Sequence, residues 1–284
     1  MIIDSHVHVF TDDRKKYPQI GDTGRGPKSI MHEQGQWELT PIERLVKLMD
    51  EAGVARATIV QAYYVYEFDN RYAIDAARAY PGRFISSVVL DPLDPKSPDE
   101  LSRLVETQGV TAVRFMRGRA PVSPLGEPAT FPLWERIQKL KIPLAISEWP
   151  DALPQLRLAT DRYPDVKVAI EHIWGLKVGA APYPLLDNLF AFAKDANIYV
   201  KFAINNILAA REGGGSARPL IEKLIRGFSA NRLMWCSNFP AHPKIGGYKE
   251  RLETAQQEFA FLGAEDRAWL FEKTVRSVHP DIPA

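Results

Sequence analysis

The sequence predicts one (β/α)8 barrel, an α/β TIM-barrel domain spanning residues 1–284. Three observations carry that expectation. Short β-branched segments alternate with amphipathic helical segments through most of the chain. The strand segments are continuous apolar runs, as strands buried on both faces are. The alternation fills about 250 residues, the size of such a barrel. A doubly wound open sheet is the alternative, but no G-x-G-x-x-G turn follows the first strand.

Taken in order, the predicted strands cover 2–6, 57–61, 84–90, 111–116, 143–147, 166–171, 198–203 and 233–237. The first helix, 41–52, places Ile42, Leu45, Val46 and Met49 on one stripe. Thr40 and Glu43 fit a capping box, Pro41 fits the first helical position, and Gly53 fits the residue beyond the end. Ser97, Pro98 and Glu100 repeat the start signal for helix 98–108, which Gly109 closes. Further helices fit 70–80, 131–140, 151–163, 184–196, 217–228, 248–262 and 265–276. Residues 9–39 read as a long loop, either a functional lid or a decorative insertion. Gly213, Gly214 and Gly215 suggest a flexible loop after strand seven. No internal repeat or low-complexity linker is visible.

Composition narrows the function. The chain has 45% hydrophobic and 25% charged residues and a formal net charge of +1, which fits a globular domain and gives no basic footprint for nucleic acid. A lone cysteine, Cys236, excludes an internal disulfide and reads as a small buried residue. No apolar run reaches the roughly 18 residues of a membrane span. Met1 leads straight into Ile2-Ile3-Asp4 with no signal-peptide pattern, so the expected location is cytoplasmic.

Catalytic groups of such barrels sit at the C-terminal ends of strands. Strand one ends in His6-Val7-His8, and alternation puts both imidazoles on one side, suited to zinc or a similar ion. Asp4, two residues earlier, is placed to orient His6. Strand five ends at Glu148, strand six at Glu171-His172, strand seven near Lys201 and Asn205, and strand eight at Ser237-Asn238.

The segments IIDSHVHVF, IEHIWG and LMWCSNFP, in that order, resemble the amidohydrolase superfamily. The chain is most similar to its amidohydrolase-2 branch of lactonases and nonoxidative decarboxylases. The resemblance covers nearly the whole chain. It implies that His6, His8 and His172 form a metal or substrate site, holding one divalent ion such as zinc or manganese, with metal-free operation also compatible. It also places Asn238 where the family usually has an aspartate that acts as base. An asparagine amide accepts no proton at neutral pH. The catalytic set is therefore expected to be His172, Glu148 and Asn238, with Glu148 as the substitute base and His242 as a second candidate. Glu148 could instead cap helix 151–163 or pair with an arginine.

Arg114, Arg117 and Arg119 stand at the end of strand four and fit anion anchors, with surface ion pairing as the alternative. Tyr63 and Tyr64 follow strand two and fit a substrate wall with hydroxyl donors, or packing beneath the long loop. Trp149, Trp174 and Phe239 fit an apolar wall or a simple cover of the barrel top. The expected activity is hydrolysis of a small lactone bearing carboxylate or hydroxyl groups. A decarboxylase or hydratase on the same barrel and a catalytically altered binding protein are the alternatives. The expected partner is a small acidic cyclic ester, with no nucleic acid or membrane; a homo-oligomer is left open.

Overall fold

The structure is a computed structural model and describes residues 1–20, 37–117, 123–148, 150–175, 183–212 and 215–282. The strands are β1 (Ile3–Val7), β2 (Arg56–Val60), β3 (Phe84–Val89), β4 (Ala112–Met116), β5 (Leu144–Ser147), β6 (Val168–Ile170), β7 (Ile198–Ala203) and β8 (Leu233–Cys236). They pair in parallel in chain order, β1 to β8. The ends then approach each other. The His8 N–H donates to the Phe239 carbonyl at 2.7 Å, and the Asn238 N–H to the His6 carbonyl at 3.1 Å. The result is the predicted (β/α)8 barrel, nearly closed, with strands buried along almost their whole length.

The helices are α1 (Ile42–Ala52), α2 (Tyr63–Tyr66), α3 (Arg71–Ala79), α4 (Ser97–Gln108), α5 (Phe131–Leu140), α6 (Leu153–Arg162), α7 (Asp187–Phe190), α8 (Ile204–Glu212), α9 (Arg218–Phe228), α10 (Tyr248–Glu258), α11 (Ala264–Ala268) and α12 (Thr274–Val278). Gly53 and Gly109 take the left-handed conformation expected at helix ends, with φ of 71° and 68°. The capping box does not form. Thr40 Oγ1 donates to the Glu38 carbonyl at 2.8 Å, and the Ile42 N–H donates instead to the Tyr72 hydroxyl at 3.1 Å. A tertiary partner thus replaces the local cap.

Three helical expectations change. Segment 184–196 contains only a 3-10 turn and α7, followed by further short turns such as Phe190 to Ala193. Segment 265–276 is broken by a π turn at Trp269–Lys273 between α11 and α12. Helix α8 was not foreseen, because β7 runs straight into it with no start signal and its apolar residues follow no single stripe. Of the long loop 9–39, residues 21–36 lie outside the described residues, as do Gly213 and Gly214. The described ends are stitched down, with Phe10 bridging Thr40 and Trp37 bridging Ala241.

The barrel interior is layered. At its N-terminal end Ile3, Ile85, Ala169 and Met234 pack with Val275, Val278 and Ile282 from the C-terminal segment, making an apolar floor. Two residues further along the strands the inward positions turn polar. Ala169 gives way to Glu171, Tyr199 to Lys201 and Met234 to Cys236. The floor therefore closes one end, and the chemistry sits towards the other.

Candidate active site

The first strand carries the decisive irregularity. Ile3 and Asp4 pair with Arg56 and Ala57, but Val7 pairs with Ile59, so β1 holds one extra residue between Asp4 and Val7. Such a bulge reverses the side-chain sense along a strand. His6 and His8 face the barrel axis, and Asp4 faces the other way. Asp4 accepts the N–H of His6 at 3.1 Å, the N–H of Ser237 at 3.0 Å and the Tyr248 hydroxyl at 3.0 Å. It braces the backbone where β1 meets β8, which corrects the expectation that it orients the His6 ring.

Glu171 performs that orientation. Its Oε1 lies 3.1 Å from His6 Nδ1. Arg114 donates from Nε and Nη2 to Glu171 Oε2 at 2.9 and 2.7 Å, and Lys201 Nζ lies 3.5 Å from Oε1. All four side chains are buried. Burial pushes the Glu171 pKa up, but Arg114, His6 and Lys201 outweigh it and hold the carboxyl well below its ordinary value. Two cations thus face one carboxylate. Arg114 Nη1 has no hydrogen bond among the described residues.

The two β1 histidines share one geometry. His8 Nδ1 is 2.7 Å from the Val60 carbonyl, which only accepts, so the ring proton sits on Nδ1. His6 Nδ1 stands 3.1 Å from the Glu171 carboxylate but makes no hydrogen bond to it. Burial lowers both pKa values well below the ordinary range, so both rings are neutral. Their Nε2 atoms face each other across 2.9 Å, a hydrogen-bonding distance. Bare lone pairs repel at that distance unless a proton donor or a cation lies between them. Two nitrogens on adjacent corners of one metal ion lie roughly 3.0–3.4 Å apart. The donor set therefore fits a divalent cation, with Glu171 as the carboxylate behind a ligating histidine. His6, Glu171 and His172 also offer ligand atoms within 4.8 Å of one another.

His172 begins the turn after β6 in a strained backbone. His172 and Ile173 both have φ of 51°, a left-handed conformation that is an outlier for a β-branched residue. Asn206 holds this turn: its Nδ2 donates to the His172 carbonyl at 3.0 Å, and its Oδ1 accepts the Ala203 N–H at 3.1 Å. The His172 ring lies 4.7 Å from that of His6, centroid to centroid. Burial takes its pKa down to about 3. Cys236 Sγ lies 3.8 Å from His172 Nδ1, so this buried thiol has a histidine neighbour that the sequence did not reveal.

The remaining candidates are placed as follows. Asn238 is nearly buried, with φ of 51°, and its backbone is tied to His6. Glu148 is nearly buried after β5 and helps hold the Arg117 charge. Arg117 makes a forked pair with Asp151 at 2.7 and 3.0 Å. Tyr64 is partly exposed and feels the Arg114 charge, while Tyr63 packs edge-on against Tyr64 and Phe68. His242 is exposed in the loop after β8. Phe239 is buried, edge-on to Tyr248. Arg119, Trp149 and the Trp174 side chain lie outside the described residues. Sequence reasoning gave no role to Glu171, Lys201 or Trp37. Trp37 covers His8, with ring centroids 4.5 Å apart and planes inclined by 32°.

A family model described as amidohydrolase matches residues 3–277. The chain belongs to the amidohydrolase family. Three solved structures share its fold. A Pseudomonas putida protein provisionally described as a 2-pyrone-4,6-dicarboxylic acid hydrolase is 22% identical, with 98% of this chain and 97% of that one covered and a TM-score of 0.76. An amidohydrolase from Burkholderia multivorans with bound zinc is 18% identical, with 99% of each chain covered and a TM-score of 0.74. The 5-carboxyvanillate decarboxylase of Novosphingobium aromaticivorans, complexed with manganese and a nitrobenzoic acid, is 16% identical, with 99% and 96% covered and a TM-score of 0.71. No curated protein matches the chain. No described helix is long and apolar enough to cross a membrane.

Proposed function

We propose that this amidohydrolase opens a small lactone bearing carboxylate groups by attack of water on the ring carbonyl. The observation that carries the reading is the buried cluster in which Arg114 and Lys201 face the single carboxylate of Glu171 beside neutral histidines. Such a pocket carries a surplus positive charge and favours an anionic substrate. The unpaired Nη1 edge of Arg114 would take the substrate carboxylate, and the Tyr64 hydroxyl nearby would add a donor. With no ion bound, His172 would donate to the carbonyl oxygen that gains charge. Glu148 would take the proton from water as the new C–O bond forms. The ring C–O bond then breaks, and the leaving oxygen recovers a proton. His6, His8 and His172 would hold a divalent ion, which when bound supplies Lewis-acid polarisation of the carbonyl. The dicarboxylate hydrolase likeness supports this reading.

A decarboxylase is the second reading. The paired Nε2 atoms of His6 and His8 and the likeness to a manganese-containing decarboxylase favour it. One experiment separates the two. Purified protein is assayed for metal content, then given 2-pyrone-4,6-dicarboxylate and 5-carboxyvanillate, with and without chelator. Loss of pyrone absorbance without carbon dioxide release supports ring opening; carbon dioxide from the aromatic acid supports decarboxylation. Replacing His172 with alanine should lower either turnover by at least about 100-fold. Unchanged turnover would reject the assigned site.

A further inference from the structure

The loop that follows β8 is held from behind by one arginine. Arg251 lies on α10 and is fully buried. Its Nε donates to the Gly246 carbonyl at 2.9 Å. Its Nη1 donates to the carbonyls of Ser237 and Asn238 at 3.1 and 3.2 Å. Its Nη2 donates to those of Ala241 and His242 at 2.8 and 3.1 Å. A guanidinium has five N–H donors, so the set is saturated by carbonyls of a single loop.

The grip has a second side. One turn earlier on α10, Tyr248 gives its hydroxyl to Asp4, and Asp4 accepts the Ser237 N–H at 3.0 Å. The Ser237 residue is therefore bracketed, its N–H by a carboxylate and its C=O by a guanidinium. Neither charge touches the other through a direct ion pair; the peptide stands between them. Within this bracket Asn238 and His242 adopt left-handed backbones, with φ of 51° and 55°. Such conformations persist where the surroundings over-determine them. The bracket also fixes the reach of Asn238 towards β1, because its N–H donates to the His6 carbonyl at 3.1 Å.

We propose that Arg251 is the positioning residue for Asn238: its five-carbonyl clamp sets where the Asn238 amide stands in the pocket. A lysine cannot replace it. Three donors on a point charge would leave at least two of the five carbonyls without this partner. The clamp also explains how a residue of α10, outside the barrel wall, reaches the backbone of Asn238.

The inference rests on the proposed function only in treating Asn238 as a site residue, and its test needs no turnover. In protein labelled with 15N at asparagine, the Asn238 side-chain amide signals, assigned by Asn238→Asp, report the pose. Arg251→Lys should shift or split them while the fold remains cooperative. Arg251→Ala should do the same, and added guanidinium, kept well below denaturing concentration, should return the signals towards the parent position. Methylammonium, with one donor centre, should not. Tyr248→Phe, which removes a neighbouring hydrogen bond but leaves the clamp, should move them little. Unshifted Asn238 signals in a folded Arg251→Lys protein would overturn the proposal. An equal shift in Tyr248→Phe would also overturn it, by showing that general packing of α10 sets the pose. Should Arg251→Ala not fold, the Arg251→Lys and Tyr248→Phe pair decides alone.

Discussion

Replacing Glu171 with glutamine tests the electrostatic core of the site. The substitution keeps the shape and removes the charge that faces Arg114, Lys201 and His6. Arg114 retains one carbonyl acceptor, but two buried cations lose their counter-charge. Breaking one side of a buried pair costs about 3–5 kcal/mol. Unfolding entropy near 2.1 cal/mol/K per residue gives about 0.6 kcal/mol/K for 284 residues. The expected drop in Tm is therefore about 5–8 °C at neutral pH. The pH dependence follows from the depressed Glu171 pKa. An acid whose folded pKa lies below its unfolded value stabilises fully above the unfolded pKa, and that stability is lost as pH falls through the folded one. The gap between parent and Glu171→Gln should thus be full at pH 7 and shrink below about pH 4. Calorimetry across that range measures it, with Arg114→Met and the double variant completing a cycle. The double variant should lose less than the sum of the two singles. A Tm within about 1 °C of the parent, or a gap independent of pH, would refute the assignment of Glu171 as the ionised hub.

Two further outcomes follow from the same geometry. Because burial keeps His6 and His8 neutral, manganese or zinc binding at pH 7 should release few protons; calorimetry in buffers of different ionisation enthalpy reads this, and release near one proton per histidine would contradict the neutral state of the rings. Asn238→Asp adds a carboxylate beside a site with surplus positive charge, so it should strengthen divalent-ion binding by about tenfold and weaken binding of a non-chelating aromatic dicarboxylate. Titration of each ligand alone checks both directions, and movement of both affinities in the same sense would contradict the charge argument.

The barrel was legible because its strands are apolar runs and its helices have stripes and glycine ends; Gly53 and Gly109 stand where the pattern puts them. The strand-end positions of His6, His8 and His172 lead to their meeting, with ring centroids 4.6 and 4.7 Å apart. Asp4 was misread for a definite reason. Alternation assumes an unbroken strand, and the extra residue between Asp4 and Val7 reverses the sense within β1. Lys201 carried a usable signal, a lone charge inside the apolar run Ile198–Ala203, on the same inward parity as the floor residue Tyr199. Glu171 was visible as a strand-end acid, but its role depends on Arg114 and Lys201 arriving from β4 and β7. Trp37 over His8 carried no signal, since a contact across a thirty-residue connection depends on where the loop is stitched.

The charge count gives the asparagine a physical meaning. An aspartate at position 238, whose backbone is tied to His6, would add a second carboxylate on this side of the barrel. Around Glu171 the count is two cations against one carboxylate, since the three histidines are held neutral by burial. A surplus charge in a buried site is costly unless something compensates it. A divalent ion alone would deepen the imbalance, whereas an anionic substrate would relieve it. The carboxylate of such a substrate and the ion held by the histidines should then bind with positive coupling, each paying part of the desolvation of the other. The cluster around Glu171 therefore favours ligands that bring a negative charge with them.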